Sequence, residues 1–406
     1  MTATNVTSYD YIFTGAGLAG LSLATGMVER PFFQGKKILL LDRDDKVKND
    51  RTWCFWAREE EPLPPVVFRR WEQCHFFGQE FHRVLDFTPY RYHMIRGKDF
   101  YQWARETLAR HASVQWLKTE VQEIDAVKGL VRTAEGTFQA DWIFNSAFVH
   151  TPVLPEKFAL FSAPFTQKET TAAYGLKLLQ HFKGWTIRTE KPVFDPQTPV
   201  FMDFRPEQHG ETRFVYVLPF SSTEALVEFT LFSANLLTKE AYENELHRYL
   251  ELHYPGAGYQ IEEEEFGIIP MTDTPFPVRS AGKLIHIGTA GGFVKASSGY
   301  AFLRTQRKLR ALLDHWERNG APEPALMQSP KRFRVLDSIF LRVLADRGEL
   351  GHEIFTRLFS RLPAPLVLRF LDEDATFADI LRVVSAPPTG AFLTAAVRQL
   401  PNFHRV

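Results

Sequence analysis

The strongest constraint on the fold lies near the N-terminus. A short apolar strand, Tyr9 to Phe13, runs into Gly15-Ala16-Gly17-Leu18-Ala19-Gly20. Leu21 to Val28 then carries helix formers, and Lys37 to Leu41 reads as a second buried strand ending at Asp42. Strand, glycine turn, helix, strand and acid in that order make a βαβ unit that cradles a dinucleotide. Gly15 permits the tight turn, Gly17 lets backbone approach a pyrophosphate, and Gly20 lets the helix pack on its strand. Leu18 and Ala19 open the helix, whose first N–H groups point at the phosphates. A carboxylate at Asp42 suits ribose hydroxyls and repels a 2′-phosphate, which argues against NADP here. A glycine triplet by itself is weak evidence. Its four flanking features give this one weight.

The motif does not separate FAD from NAD, but a distant segment does. Leu284 to Gly288 is a late strand, followed by Thr289, Ala290, Gly291 and Gly292. FAD enzymes use such a return strand and turn to hold the ribityl and pyrophosphate groups, so Gly288, Ala290, Gly291 and Gly292 join the expected cofactor contacts. A basic helix over 301–318 follows. Between the two segments lie an amphipathic helix over 99–110, a strand at 114–117, a hairpin at Glu135-Gly136 and a strand at Trp142 to Phe144.

Residues 66–96 are aromatic and strand-like. From about 160 to 265 the pattern is mainly β, with Phe-rich strands at 199–204, 213–218 and 225–232 and a helix near 238–252. Residues 325–406 read as helical. The expected fold is therefore α/β with an α+β insert. A Rossmann-type FAD-binding domain (9–65, 97–150, 270–320) holds an inserted antiparallel substrate sheet (66–96, 151–269). A helical C-terminal cap spans 321–406.

Forty-eight Lys plus Arg against 48 Asp plus Glu give no electrostatic basis for nucleic acid. Cys54 and Cys74 have no metal-ligand spacing and fit a reducing cytosol. Met1 to Ser8 read as a polar leader, and no apolar run is long enough to span a bilayer. Core filling accounts for most of the 36 phenylalanines; the rest suit an apolar tunnel or a membrane-facing patch.

With the fingerprint and the return turn in view, the chain resembles the flavoprotein lycopene cyclases. Two segments are the most specific: Asn49-Asp50-Arg51-Thr52-Trp53-Cys54-Phe55-Trp56, and the stretch from Gly288 to Tyr300. Met202 to Arg205 and Ala225 to Thr230 add to the match. The resemblance implies a redox-neutral isomerisation of lycopene, or a related linear carotene, in carotenoid biosynthesis. Acid catalysis closes its ψ ends into β-ionone rings. Reduced FAD is the implied cofactor, with NAD(P)H only as its reductant. Two departures stand out. The family motif Phe-x-Glu-Glu-Thr has Glu228 at its first glutamate and Phe229 in place of the second. Thr289 stands where the wider FAD superfamily has Asp.

Such a reaction needs an acid held protonated, a base, cation stabilisation and exclusion of water. Glu228, flanked by Val227 and Phe229, is the expected acid or the carboxylate that drives it, and a nitrogen of the implied reduced flavin is the other candidate for direct proton donor; a solvent-facing or Arg-paired glutamate is the alternative. Asp203 is the second candidate, against a structural salt bridge with Arg205. Arg51 is a candidate flavin contact, against an ordinary surface arginine. Trp53, Phe55 and Trp56 offer π faces to a cation, at least one of them as core packing. The acidic run Glu262 to Glu265 reads as a solvated face, and His75 and His286 as core or surface residues.

A lipid-dwelling substrate calls for peripheral contact with a membrane, expected at the cytoplasmic face. Phe333, Phe340, Phe355, Phe359 and Phe370 mark the C-terminal region for it, with a tunnel-closing cap as the alternative. Two other functions compete on one scaffold. A redox flavoenzyme, such as a monooxygenase or prenyl reductase, would consume NAD(P)H in step with product. A non-catalytic isoprenoid binder would keep working without flavin.

Overall fold

The computed structural model describes residues 6–146, 177–280 and 282–403. The stretch 147–176, assigned above to the end of one lobe and the start of the next, lies outside the described residues.

The first sheet is built on the βαβ unit. Its order is β8 (Val114–Lys118), β2 (Ile38–Asp42), β1 (Val6–Thr14), β11 (Gly136–Asn145), β10 (Leu130–Thr133), β9 (Val121–Asp125). The short β17 (Leu284–His286) pairs parallel with the C-terminal end of β11, where Ile143 to Asn145 lie beside Leu284 to His286. The chain thus returns to this sheet after the insert, as the late strand predicts. β1 starts earlier than expected. Val6, Thr7 and Ser8 pair with Thr137, Phe138 and Gln139, so the last three residues of the expected leader are strand.

α1 (Leu18–Val28) is buried along nearly its whole length, which suits a helix apolar on all sides. It packs against α2 (Gly97–Ala109) and α4 (Phe302–Asn319). α4 keeps Leu309, Leu312, Leu313 and Trp316 inward, and Arg304 in its first turn is buried as well.

The second sheet has the order β16 (Tyr259–Thr272), β12 (Lys177–Thr189), β15 (Glu224–Ser233), β14 (Thr212–Pro219), β13 (Val200–Asp203), β5 (Gln73–Phe77), β6 (His82–Asp86). All its pairs are antiparallel except β13 with β5. Strand alternation splits β15 between two cores. Val227, Phe229 and Leu231 face α3 (Lys239–His253), with Tyr242 and Leu246. Leu226 and Phe232 face the opposite side, where they join Phe214, Tyr216 and the C-terminal helices.

A third sheet, β3 (Thr52–Arg58), β7 (Tyr90–Arg96) and β4 (Arg69–Trp71), joins the lobes. The sequence division put β3 in one domain and β7 in the other, yet the two pair along their whole length. The boundary therefore runs through a shared sheet.

The C-terminal region is helical, as expected: α5 (Lys331–Asp346), α6 (Gly351–Arg361), α7 (Ala364–Leu371), α8 (Phe377–Val384) and α9 (Thr389–Gln399). Phe355 stacks on Phe204, and Phe359 packs on Phe76 and Phe201. The cap is thus pinned to one face of the second sheet by aromatic rings.

Candidate active site

The glycine loop has the shape its sequence calls for. A Cβ at Gly20 would lie 2.2 Å from the carbonyl oxygen of Gly15, so only glycine allows α1 to start there. Nothing lies within 4 Å of a Cβ placed at Gly17, which leaves room before the helix N-terminus. No side chain caps that terminus and its first turn holds no acid. Its N–H groups are thus available to an anion. Asp42 stands at the end of β2 as predicted, and it fixes the turn by accepting from Ala16 N–H at 2.7 Å. Lys46 lies 3.9 Å from its carboxylate.

The late turn faces this loop. A Cβ on Gly288 would sit 3.0 Å from the Ala19 side chain. Gly288 and Thr289 reach the same cavity as Gly17, Leu18 and Ala19. Ala290, Gly291 and Gly292 follow them, away from its wall. The N–H groups of Gly291, Gly292 and Phe293 donate to Ile287, Thr289 and Gly288, so the turn closes on itself. Gly291 is small because the carbonyl of His286 lies 2.4 Å from its would-be Cβ.

From the two glycine turns the cavity, about 400 Å³, extends between the lobes to the second sheet. Both most specific segments line it: Asp50 to Cys54 from one, Ser298 to Tyr300 from the other. Arg51 stands in the wall with its guanidinium on Asp50 at 3.0 Å. Of the three aromatic candidates only Trp53 lines this cavity. Phe55 is stacked between His93 and Phe302, and Trp56 is buried against Tyr300; both are core.

At the far end stands Glu228 on β15. Thr230 Oγ1 donates to its Oε1 at 2.9 Å. Burial pushes Glu228 well above the usual carboxylate range, and the neighbouring Glu265 pushes it further. Glu265 is buried, at 5% exposure, where the acidic run suggested a solvated face. Strand alternation explains the difference: Glu262 and Glu264 pair with Arg188 and Lys183 at the rim, while Glu265 points inward. Thr52 Oγ1 donates to Glu265 Oε2 at 2.9 Å.

Three phenols complete the wall. Tyr92, Tyr216 and Tyr300 line the cavity beside Leu226 and Glu228. Burial raises all three above the usual phenol range, so they stay neutral. Tyr216 and Tyr300 hydroxyls lie 3.5 Å apart.

Asp203 is absent from this group. It is fully buried and accepts from Arg205 Nε at 2.8 Å and Tyr249 Oη at 2.7 Å. Tyr249 belongs to α3, on the face of the sheet opposite Glu228. The salt bridge with Arg205, weighed above as the alternative, is what the structure has.

Glu265 and the three tyrosines were missed as individual residues. Thr52 and Tyr300 lay inside the two quoted segments with no role attached. Nothing in sequence spacing joins Glu265 to Glu228; only the strand register does.

This geometry is matched by descent. The lycopene cyclase protein family aligns with residues 10–397. The chain belongs to that family. A curated relative, lycopene beta-cyclase of Pseudescherichia vulneris, is 23% identical over 97% of this chain and 98% of its own. Two solved structures share the fold. One is a geranylgeranyl bacteriochlorophyll reductase-like protein from Thermoplasma acidophilum (TM-score 0.58, 14% identity, 98% of this chain and 100% of that one). The other is the myxobacterial chondrochloren halogenase, described as an FAD-dependent halogenase (TM-score 0.52, 15% identity, 96% and 97%). Identities this low speak for the Rossmann-type architecture alone. Within the lycopene cyclase family, this chain's departure at Phe229 is buried in the α3 core and does not reach the cavity.

Proposed function

We propose that the chain is a lycopene β-cyclase that uses FAD without net redox change. One observation carries this reading. A half-buried glutamate raised well above the carboxylate range, Glu228, opens into the same cavity as the two glycine turns. The family match and the name of the curated relative support it.

The residues present fit FAD. Gly17, Leu18 and Ala19 would take the pyrophosphate, Asp42 a ribose, and Gly288 with Thr289 the linking chain, with Arg51 in the wall. When bound in its reduced form, FAD supplies an electron-rich ring near a developing cation. NAD(P)H is then needed only as reductant, not in proportion to product.

Glu228 gives its proton to the terminal double bond of a ψ end, leaving a tertiary cation. A nearby double bond of the same chain attacks, and the six-membered ring closes. A ring proton then leaves, and the carboxylate left on Glu228 is the base at hand. The added proton stays in the ring and a different one, from a ring carbon, restores Glu228, so product and substrate have equal mass. Trp53, Tyr92, Tyr216 and Tyr300 line the cavity, and their π systems would stabilise the cation. The apolar wall of Phe182, Leu218 and Leu226 keeps water from trapping it.

Expression in a bacterial host that accumulates lycopene tests this reading. The expected pigment has unchanged mass, shorter-wavelength absorbance and the retention of γ- or β-carotene. Untouched lycopene, or a product altered by oxygen or hydrogen, would overturn it and favour the redox enzyme.

Access to a lipid-dissolved substrate fits the C-terminal helices, though not through the rings expected. Phe333, Phe355 and Phe359 are buried, and Phe340 and Phe370 pack against the core. Phe377, Leu381 and Val384 on α8 instead form an exposed stripe at helical spacing, and Leu393, Val397 and Leu400 form another along α9 and just beyond. Arg382 stands exposed beside them. Among the described residues no single helix is long and apolar enough to cross a membrane. The two stripes suit peripheral insertion into the cytoplasmic leaflet. Co-sedimentation with anionic vesicles should fall several-fold in Leu381→Glu with Leu393→Glu, with no change in flavin content. Equal binding by that variant would sink this assignment.

A further inference from the structure

Position 184 on β12 is glycine, and its two ladder partners are Glu228 on β15 and Glu265 on β16. Residues directly opposite in a ladder share one face of the sheet. The three therefore stand in a row, and both glutamates rise from the same face. Their strands lie about 9.6 Å apart, two strand spacings. Two glutamate side chains can meet across that gap only if nothing rises between them. A Cβ at position 184 would lie 2.9 Å from Glu265 Cγ and 3.1 Å from its Oε1. The Glu265 carboxyl therefore lies over Gly184, leaning toward Glu228. The two carboxyl groups are within hydrogen-bonding reach of each other.

The pattern of partners is uneven. Thr52 donates to Glu265 Oε2, and Thr230 donates to Glu228 Oε1. Glu265 Oε1 is buried with no donor from any other side chain or backbone group among the described residues. A proton carried by the Glu228 carboxyl is the donor that fits. Two carboxylates at this range cannot both stay ionised, so the pair keeps one proton between them.

We propose that Glu265 is the second carboxyl of this site, reached across the sheet at Gly184, and that it holds the acid proton on Glu228. The inference rests on the cyclase reading for its chemistry but not for its geometry. Glu228 faces the cavity and touches substrate. Glu265 is not in the cavity wall and acts through Glu228, so it is a positioning residue. Burial raises Glu265 as well, but the Glu228 carboxyl, the Thr52 hydroxyl and the more distant charge of Arg51 work against it, so the anion belongs on Glu265. Other ionisable groups around the pair are Asp50, Cys54 and Tyr216. Glu263, two residues along β16, is engaged by Lys98 at 2.6 Å.

The test is an infrared pH titration of the purified, flavin-loaded protein, read at the stretch of the protonated carboxyl. The band lost in Glu228→Gln identifies the Glu228 carboxyl. In Glu265→Gln the like charge is gone, and the midpoint of that band should fall by one pH unit or more. The alkaline limb of kcat for lycopene should move the same way, with KM changed less than twofold. Gly184→Ala wedges the carboxyls apart and should shift the midpoint in the same direction by less. It also serves if Glu265→Gln does not fold. A merely structural Glu265 would lower yield or activity and leave both midpoints in place, and that outcome overturns the proposal. If wild-type protein does not cyclise lycopene at all, the cyclase reading fails by itself, and the band still reports on the pair.

Discussion

Two pairs of buried carboxyl groups sit in this molecule in opposite electrical settings. Asp337 on α5 and Glu373 just after α7 surround Lys295, at 2.7 and 3.0 Å, and Arg304 adds a contact to Glu373 at 3.0 Å. Burial works to raise both; at Glu373 Lys295 and Arg304 outweigh it and hold the group at about 2, whereas at Asp337 burial outweighs Lys295 and the group stays above the usual carboxylate range. Glu228 and Glu265 have only hydroxyl donors and each other; among the described residues neither forms an ion pair. The same side-chain chemistry thus gives a clamp in one place and an acid in the other. Lys295 belongs to the loop between the late glycine turn and Tyr300, so the clamp fastens the C-terminal cap to the floor of the cavity. Cations make a buried carboxylate permanent. Their exclusion makes a buried carboxyl a proton source.

Isosteric changes should separate the two. Glu228→Gln keeps shape and removes the proton donor, so cyclisation should drop by about 10²–10⁴-fold. Pigment yield per folded protein measures this. Its stability at neutral pH should be equal to or above that of the wild type, because a group that resists ionisation has been removed. Lys295→Met acts the other way. It leaves Asp337 and Glu373 buried around one remaining cation and should cost about 3–5 kcal/mol in urea unfolding. A destabilised Glu228→Gln, or a Lys295→Met as stable as the wild type, would break the contrast. Asp203→Asn is a third probe, since that carboxylate is paired on the α3 side. Its expected cost is about 1–2 kcal/mol, because Arg205 is partly exposed and can turn to water. Turnover per folded molecule should be unchanged. A large fall in turnover would bring Asp203 back among the acids.

The difference between these clusters also marks what a linear sequence can carry. The βαβ unit was legible because its parts are contiguous: Gly15 to Gly20, a helix, and Asp42 about 20 residues further on. The return of β17 to the same sheet was legible from its own glycines. Glu228 was legible because Val227 and Phe229 announce burial and because the stretch resembles the family motif. Glu265 was not, since four glutamates in a row look solvated until strand pairing turns one of them inward. Asp203 looked equivalent to Glu228 for the same reason: both sit in apolar strands, and only the register shows them on opposite faces. The turn at Ala290, Gly291 and Gly292 has a packing role that its sequence did not announce. Glycines serve backbone packing as readily as ligand approach, and here Gly291 serves the carbonyl of His286.

The smallest expected effect, and the one most specific to the contrast, is the pH dependence of stability. Glu373 is depressed in the folded state, so its contribution is complete above the ordinary glutamate range and is lost as pH falls toward about 2. Glu228 is raised, so the folded chain keeps a proton that the unfolded chain has released. Its contribution is complete at acid pH and declines as pH rises above the ordinary range toward its own elevated value. Urea midpoints from about pH 3 to pH 8 should show two opposite slopes when each variant is compared with the wild type. Lys295→Met should converge on the wild type toward acid, where the clamp is already weakened. Glu228→Gln should gain on the wild type toward alkali. If both differences run in the same direction, the two pairs are not electrically distinct, and Glu228 loses its claim to be the proton source.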